Sequence, residues 1–197
     1  MAPQAGIENT NQLSQGLPEV NVNITGHDAS GKEYFVSSRP AHWKAFHGNT
    51  MSFAVLYTTC ESPPSLNNDE DIHKHQAIMS SGDIGLVNPG GSVCRAVDFA
   101  PGPESMMHRT RSLDFGIVVY GSVEAILESG EKRIMKAGDV CVQRGTSHAW
   151  RNTSDSEWAR MIFVLQDCQP VVVNGVTLRE DLGKNNDIPA SQKHLSA

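Results

Sequence analysis

The chain has 197 residues, 39% of them hydrophobic, with 17 Gly, 10 Pro and a formal charge of −6. That length suits one sizeable domain and is marginal for two, and so turn-rich a composition suits sheets better than a helical bundle. The acidic balance argues against a nucleic-acid surface, no apolar run is long enough to span a bilayer, and the start MAPQAGIENT lacks the basic end and apolar core of a secretory signal, so the expected location is cytoplasmic.

Residues 1–18 are rich in Gln, Asn, Gly and Pro and read as a flexible tail. Val20, Val22 and Ile24 then alternate with Asn21, Asn23 and Thr25, the pattern of a half-buried strand. A second short strand, Glu33–Ser37, follows the turn-forming DASGK. Ser38-Arg39-Pro40 and AHWKAFHG predict one or two helical turns stopped by Gly48. Met51–Thr59 is a strand. The stretch 60–81 resists a strand reading: SPPS leads into Asp69, Glu70 and Asp71, acids that oppose the positive end of a helix dipole, so a short helix is expected from about Asn68. Such an insertion suits a lid or the edge of a binding mouth.

From Gly91 onward the sequence predicts strands near 92–99, 113–120, 122–128, 131–136, 139–143, 147–152 and 159–166, with tight turns at Ser129-Gly130 and Ala137-Gly138-Asp139. Val171–Leu178 adds an edge strand around Asn174-Gly175, and the polar segment after Leu182 reads as a mobile tail. Many short antiparallel strands at even spacing predict an all-β barrel or jelly roll. The cysteines Cys60, Cys94, Cys141 and Cys168 have no CxxC spacing, and Cys94 and Cys141 fall in apolar strand patterns where reduced buried thiols are common.

Two segments bounded by glycines each carry a histidine in a strand-like setting. The first runs Gly102, five residues, His108, one residue, Thr110, three residues, Asp114, six residues, Gly121. The second runs Gly138, six residues, Gly145, two residues, His148, three residues, Asn152. Residues two apart on a strand share a face, so His108 and Thr110 point the same way. Arg95 in VCRAVDF alternates with Val97 and Phe99, and an arginine on an apolar strand face needs a carboxylate from the protein or a substrate. Met106, Tyr120 and Trp150 are candidate substrate contacts, although ordinary packing explains each of them equally well. His73-Lys74-His75 looks like a ligand pair only if extended; on a helix, residues two apart face nearly opposite sides. No P-loop, GxGxxG, nucleophile elbow or zinc-finger spacing is present.

The two glycine-bounded segments resemble the two-part signature of the cupin superfamily, G-x5-HxH-x3or4-E-x6-G followed by PxGxxHxxxN. Thr110 stands where that signature has its second histidine, Asp114 replaces the glutamate and Gln143 the proline. The resemblance implies a single double-stranded β-helix over 92–180, with N-terminal strands and the insertion (19–91) packed on it and tails at 1–18 and 181–197. It implies that His108, Asp114 and His148 converge inside the barrel and hold a divalent ion, with Thr110 in the weak fourth position. Two imidazoles and a carboxylate suit Fe and also accept Zn, Mn or Ni. The alternatives are a metal-free barrel in which a histidine is the general acid or base, and a purely structural or ligand-binding pocket.

The run from VCRAVDFAPG to RMIFVL is similar to single-domain cupins of fungal secondary-metabolite pathways, including those that make salicylaldehyde-type polyketides. That likeness implies a polyketide-like small-molecule substrate, with dehydration, cyclisation or isomerisation preferred over an iron-dependent oxidation, and a non-catalytic binding cupin as the third reading. N-terminal strands of such barrels pair with a neighbouring subunit, which implies a homodimer.

Overall fold

The structure is a computed structural model that describes residues 10–191 apart from 83, 103, 104, 185 and 186. The outer parts of both expected tails, 1–9 and 192–197, lie outside the described residues. Strand β1 (Asn21–His27) pairs antiparallel with β2 (Glu33–Pro40), and β3 (Lys44–Phe46) with β4 (Met51–Thr59). The helical turns expected between Ser38 and Gly48 therefore do not form: β2 runs through Pro40, and β3 folds back on β4. Packing overrides the local pattern, because Phe46 reaches the core beside Phe53, with ring centroids 4.5 Å apart. His47, Gly48 and Asn49 make the reversal with φ of 49, 62 and 68°.

The expected helix is present as α1 (Glu70–Ser81), with Glu70 and Asp71 in its first turn. It buries Ile72, His75 and Ile78 and leaves His73 exposed, so the two histidines of HxH diverge. His75 stacks on Tyr57 at 4.5 Å and bonds Thr58 Oγ1 through Nδ1 at 3.0 Å. Burial, with the charge of Arg39 adding to it, pushes its imidazole down to about 4, so it stays neutral at neutral pH.

The motif region supplies β5 (Ser92–Phe99), β6 (Ser112–Tyr120), β7 (Ser122–Leu127), β8 (Lys132–Lys136), β9 (Val140–Arg144), β10 (His148–Asn152) and β11 (Ala159–Asp167). A hairpin, β12 (Val171–Val173) and β13 (Val176–Leu178), turns at Asn174-Gly175. A six-stranded sheet of order β3-β4-β5-β11-β6-β9 faces a three-stranded sheet of order β10-β7-β8. The N-terminal β3 and β4 thus belong to the barrel sheet itself. Between the sheets lies one apolar core that includes Val97, Phe99, Met161 and Phe163 from the first, and Val123, Met135 and Trp150 from the second. Gly116 opposes Phe163 across β6 and β11; a Cβ there would sit 2.9 Å from the Phe163 ring, so the bare backbone makes room for it.

The outer face of the large sheet is also covered. Val20, Val22 and Trp43 pack on Ala54, Ala96 and Ile162. Beside them Arg160 and Asp98, register partners on β11 and β5, form a two-pronged ion pair at 2.6 and 2.7 Å with side chains 2% and 0% exposed. Ser14 donates to Asp98, Arg160 donates to the Pro18 carbonyl at 2.6 Å, and Trp43 lies 4.7 Å from the guanidinium. Residues 10–18 are therefore clamped rather than loose. The far end likewise docks: Ile188 joins the main core, and Ser191 donates to Glu180 at 2.5 Å. Burying an isoleucine is worth about 1.5–3 kcal/mol, enough to anchor an otherwise polar segment. No described helix is long and apolar enough to cross a membrane.

Candidate active site

An open-mouthed cavity lies between the two sheets. The large sheet contributes Met51, Phe53, Arg95, Val97, Phe99, Asp114, Phe163 and Leu165; the other side contributes Met106, His108, His148 and Trp150. Period-2 alternation explains the selection, since Arg95, Val97 and Phe99 share one face of β5 while Ala96 and Asp98 share the other.

The two motif histidines meet through the backbone. His108 donates its N–H to the His148 carbonyl and His148 donates back to His108, both at 2.9 Å. Such a pair places its side chains side by side on one face, and the ring centroids are 4.3 Å apart. Each ring is then fixed by the same local bond: Nδ1 of His108 meets the Met106 carbonyl and Nδ1 of His148 the Thr146 carbonyl, both at 2.9 Å. A carbonyl only accepts, so both Nδ1 atoms carry the proton and each neutral ring keeps its Nε2 lone pair. Burial, then the neighbouring His108, pushes His148 down to about 3. Burial also lowers His108, opposed by the Met106 bond and reinforced by His47 and Arg95. Both imidazoles are therefore neutral proton acceptors at physiological pH.

Thr110 occupies the expected fourth ligand position but acts otherwise. Its hydroxyl accepts from Ser112 at 2.8 Å and donates to Asp114 Oδ2 at 3.4 Å, while Asp114 Oδ1 is buried without a partner. Burial pushes the Asp114 carboxyl up to about 6, against the downward pull of Ser112, Thr110 and the Arg95 charge. His108, Asp114 and His148 line one cavity, yet among the described residues no three His, Cys, Asp or Glu side chains come close enough to hold a metal ion. Two imidazole nitrogens are suited to a divalent ion; the carboxylate, held in its hydroxyl chain, does not complete the set expected from the motif.

Among the described residues Arg95 finds no carboxylate within ion-pair distance; its Nη2 donates to the carbonyls of Gly85 and Leu86 at 2.7 and 2.9 Å. Met106 lines the cavity, and Trp150 stands edge-on to His148 and Phe163 at 5.9 and 5.6 Å. Tyr120 does not join them. It ends β6 beyond a register shift that turns it off the face of Asp114, Gly116 and Val118, and it is 41% exposed and outside the cavity lining. The sequence reading missed His47, Leu182 and Ile188, all of which line the cavity. His47 sits in a turn outside both motif segments, and the one available hint was the turn-forming Gly48-Asn49 beside it.

Two neutral imidazoles, a carboxylic acid and a guanidinium around an apolar barrel cavity define a small-molecule site able to move protons. The family profile for the cupin domain matches residues 95–165. Phomopsin biosynthesis cluster protein D of Diaporthe leptostromiformis is 44% identical over 183 residues, 91% of this chain and 96% of its own length. Oryzines biosynthesis cluster protein J of Aspergillus oryzae is 40% identical, covering 85% of this chain and 94% of its own. A cupin-domain-containing oxidoreductase of Aspergillus ruber is 40% identical, covering 85% and 82%. Among solved structures, KdgF from Halomonas sp. overlays with a TM-score of 0.43 at 16% identity, covering 64% of this chain and 86% of its own. The chain belongs to the cupin family.

Proposed function

We propose that the protein is a small-molecule enzyme of fungal secondary metabolism that dehydrates, cyclises or isomerises a carbonyl-bearing, polyketide-like intermediate by proton transfer. The observation that carries this reading is the locked tautomer of His108 and His148, which turns two unshared Nε2 lone pairs toward an apolar cavity. The biosynthesis-cluster names of relatives supply the metabolic setting. In the dehydration case, His108 Nε2 removes the acidic C–H proton beside the carbonyl, with His148 beside it as a second acceptor. Asp114 in its acid form protonates the departing hydroxyl, which leaves as water as the carbon–carbon double bond forms. The proton then returns from His108 to Asp114 through solvent. Arg95 supplies positive charge for a substrate oxygen, and Met106, Trp150 and Phe163 pack on the apolar body.

An acid works while it holds its proton. kcat/KM is therefore expected to fall as pH rises through about 6, the value to which burial lifts Asp114. A profile flat from pH 5 to 8 overturns the assignment of Asp114 as the acid.

An iron-dependent oxidoreductase is the second reading; several relatives are named cupin-domain-containing oxidoreductases, which supports its redox part and says nothing of iron. Turnover of a candidate intermediate under air and under strict anaerobiosis separates the two, together with elemental analysis of protein purified without chelator. Equal rates with no stoichiometric metal support proton transfer. Product that forms only with oxygen, or carries oxygen from the gas, overturns it.

The chain is also proposed to act as a twofold homodimer. The β1–β2 hairpin forms a two-stranded sheet with outer edges unpaired among the described residues, and Phe35 on it is 71% exposed. Exposed edges of this kind favour pairing with another copy. Sedimentation at micromolar concentration is expected to give twice the chain mass; a monomer contradicts it.

A further inference from the structure

Arg95 is 4% exposed, yet its charge persists, since burial lowers its guanidinium only to about 10. Both of its hydrogen bonds leave from Nη2 and end on neutral backbone carbonyls; Nε is buried without a partner. Among the described residues no carboxylate lies within ion-pair distance of it. Phe53, 5.7 Å from the guanidinium carbon, covers its face and leaves the edge for hydrogen bonds. Asp114, the acid whose charge it feels, likewise keeps Oδ1 buried and unpartnered.

A buried charge is normally paired, because leaving it alone carries a large desolvation cost. Contrast Arg160, on the other face of the same sheet, which Asp98 satisfies within the chain. An arginine that, among the described residues, makes no ion pair in the wall of an apolar cavity is arranged for a counter-charge that arrives with the ligand. One guanidinium among apolar walls matches a single negative charge, and its planar fork matches a carboxylate.

We propose that the substrate is a monoanion, an apolar carbonyl compound bearing an ionised carboxylate that docks on the free edge of Arg95 while its reacting carbon lies against His108 and His148. The placement of the reacting carbon rests on the acid–base reading above; the anion subsite rests on Arg95.

Direct binding tests the subsite apart from turnover. Titrate the full chain with 2-naphthoate and with 2-naphthamide, a neutral probe of the same shape, and follow the heat of binding. The acid is expected to bind about tenfold or more tightly, as a charge-assisted bond to a buried partner implies. Arg95→Met should remove that preference, and Arg95→Lys should keep part of it. If Arg95→Met fails to fold, the wild-type preference and its retention in Arg95→Lys decide. Equal affinity for the two probes, or a preference that survives in folded Arg95→Met, overturns the proposal. An acid preference in a protein whose turnover ignores the histidines leaves the subsite standing and removes the proton-transfer chemistry. Histidine-dependent turnover with no acid preference does the reverse.

Discussion

Replacing His108 or His148 with alanine is expected to lower turnover by roughly two to four powers of ten, the range for loss of a positioned acid or base. Asparagine separates chemistry from architecture. Its amide nitrogen overlays Nδ1 and can still donate to the Met106 or Thr146 carbonyl, but nothing in it replaces Nε2. His108→Asn should therefore melt within a few degrees of the parent while losing most of its turnover. A variant that keeps its rate shows that the ring serves packing alone, since His108 and His148 also exchange backbone bonds that any residue makes.

The second large effect lies on the opposite face of the sheet. Asp98→Ala should cost about 3–5 kcal/mol, because it strands Arg160 in a site where both side chains are almost fully covered. For a chain of this size that corresponds to a fall in Tm on the order of 10 °C. The clamp on residues 10–18 should loosen too, since Ser14 loses its acceptor and Arg160 its fixed position against the Pro18 carbonyl. Thermal unfolding, with limited proteolysis near residue 14, reads both. A double change to Asp98→Leu with Arg160→Met should recover much of the loss, because an apolar pair leaves no stranded charge. The exposed Arg133–Glu131 pair is the control: with side chains 77% and 65% exposed, Arg133→Ala should have little measurable effect.

Elements set by local chemistry were readable from the sequence. Glu70 and Asp71 announced the start of α1, and Asn174-Gly175 its hairpin, because dipole and turn geometry act over a few residues. The meeting of His108 and His148 was readable through motif spacing, although the bond pair that creates it spans 40 residues. What stayed hidden was decided by distant partners. Lys44–Phe46 within AHWKAFHG became a strand because Phe46 packs on Phe53. Ser14 and Ile188 sit in polar stretches, and only the Asp98–Arg160 pair and the barrel core make them buried. Asp114 was read as a metal ligand because the motif puts an acid there; the hydroxyl chain from Ser112 through Thr110 that reaches it is visible only once the strand is folded. Tyr120 shares the parity of Asp114, and only the register shift opposite Arg160 and Met161 turns it out.

Leu182 and Ile188 complete the cavity from a segment that belongs to neither sheet, pinned by the reciprocal bonds of Asp181 with Arg109 at 2.7 and 2.9 Å. On the proton-transfer reading, part of the cavity wall is thereby carried on a stretch of chain apart from His108, Asp114 and His148. Asp114 and His148 sit in strands and His108 in a bridge beside β10, where a change of size disturbs the packing around them, while Leu182 and Ile188 come from outside both sheets. Grafting residues 180–191 from a related chain should transplant a substrate preference and leave the reaction itself intact.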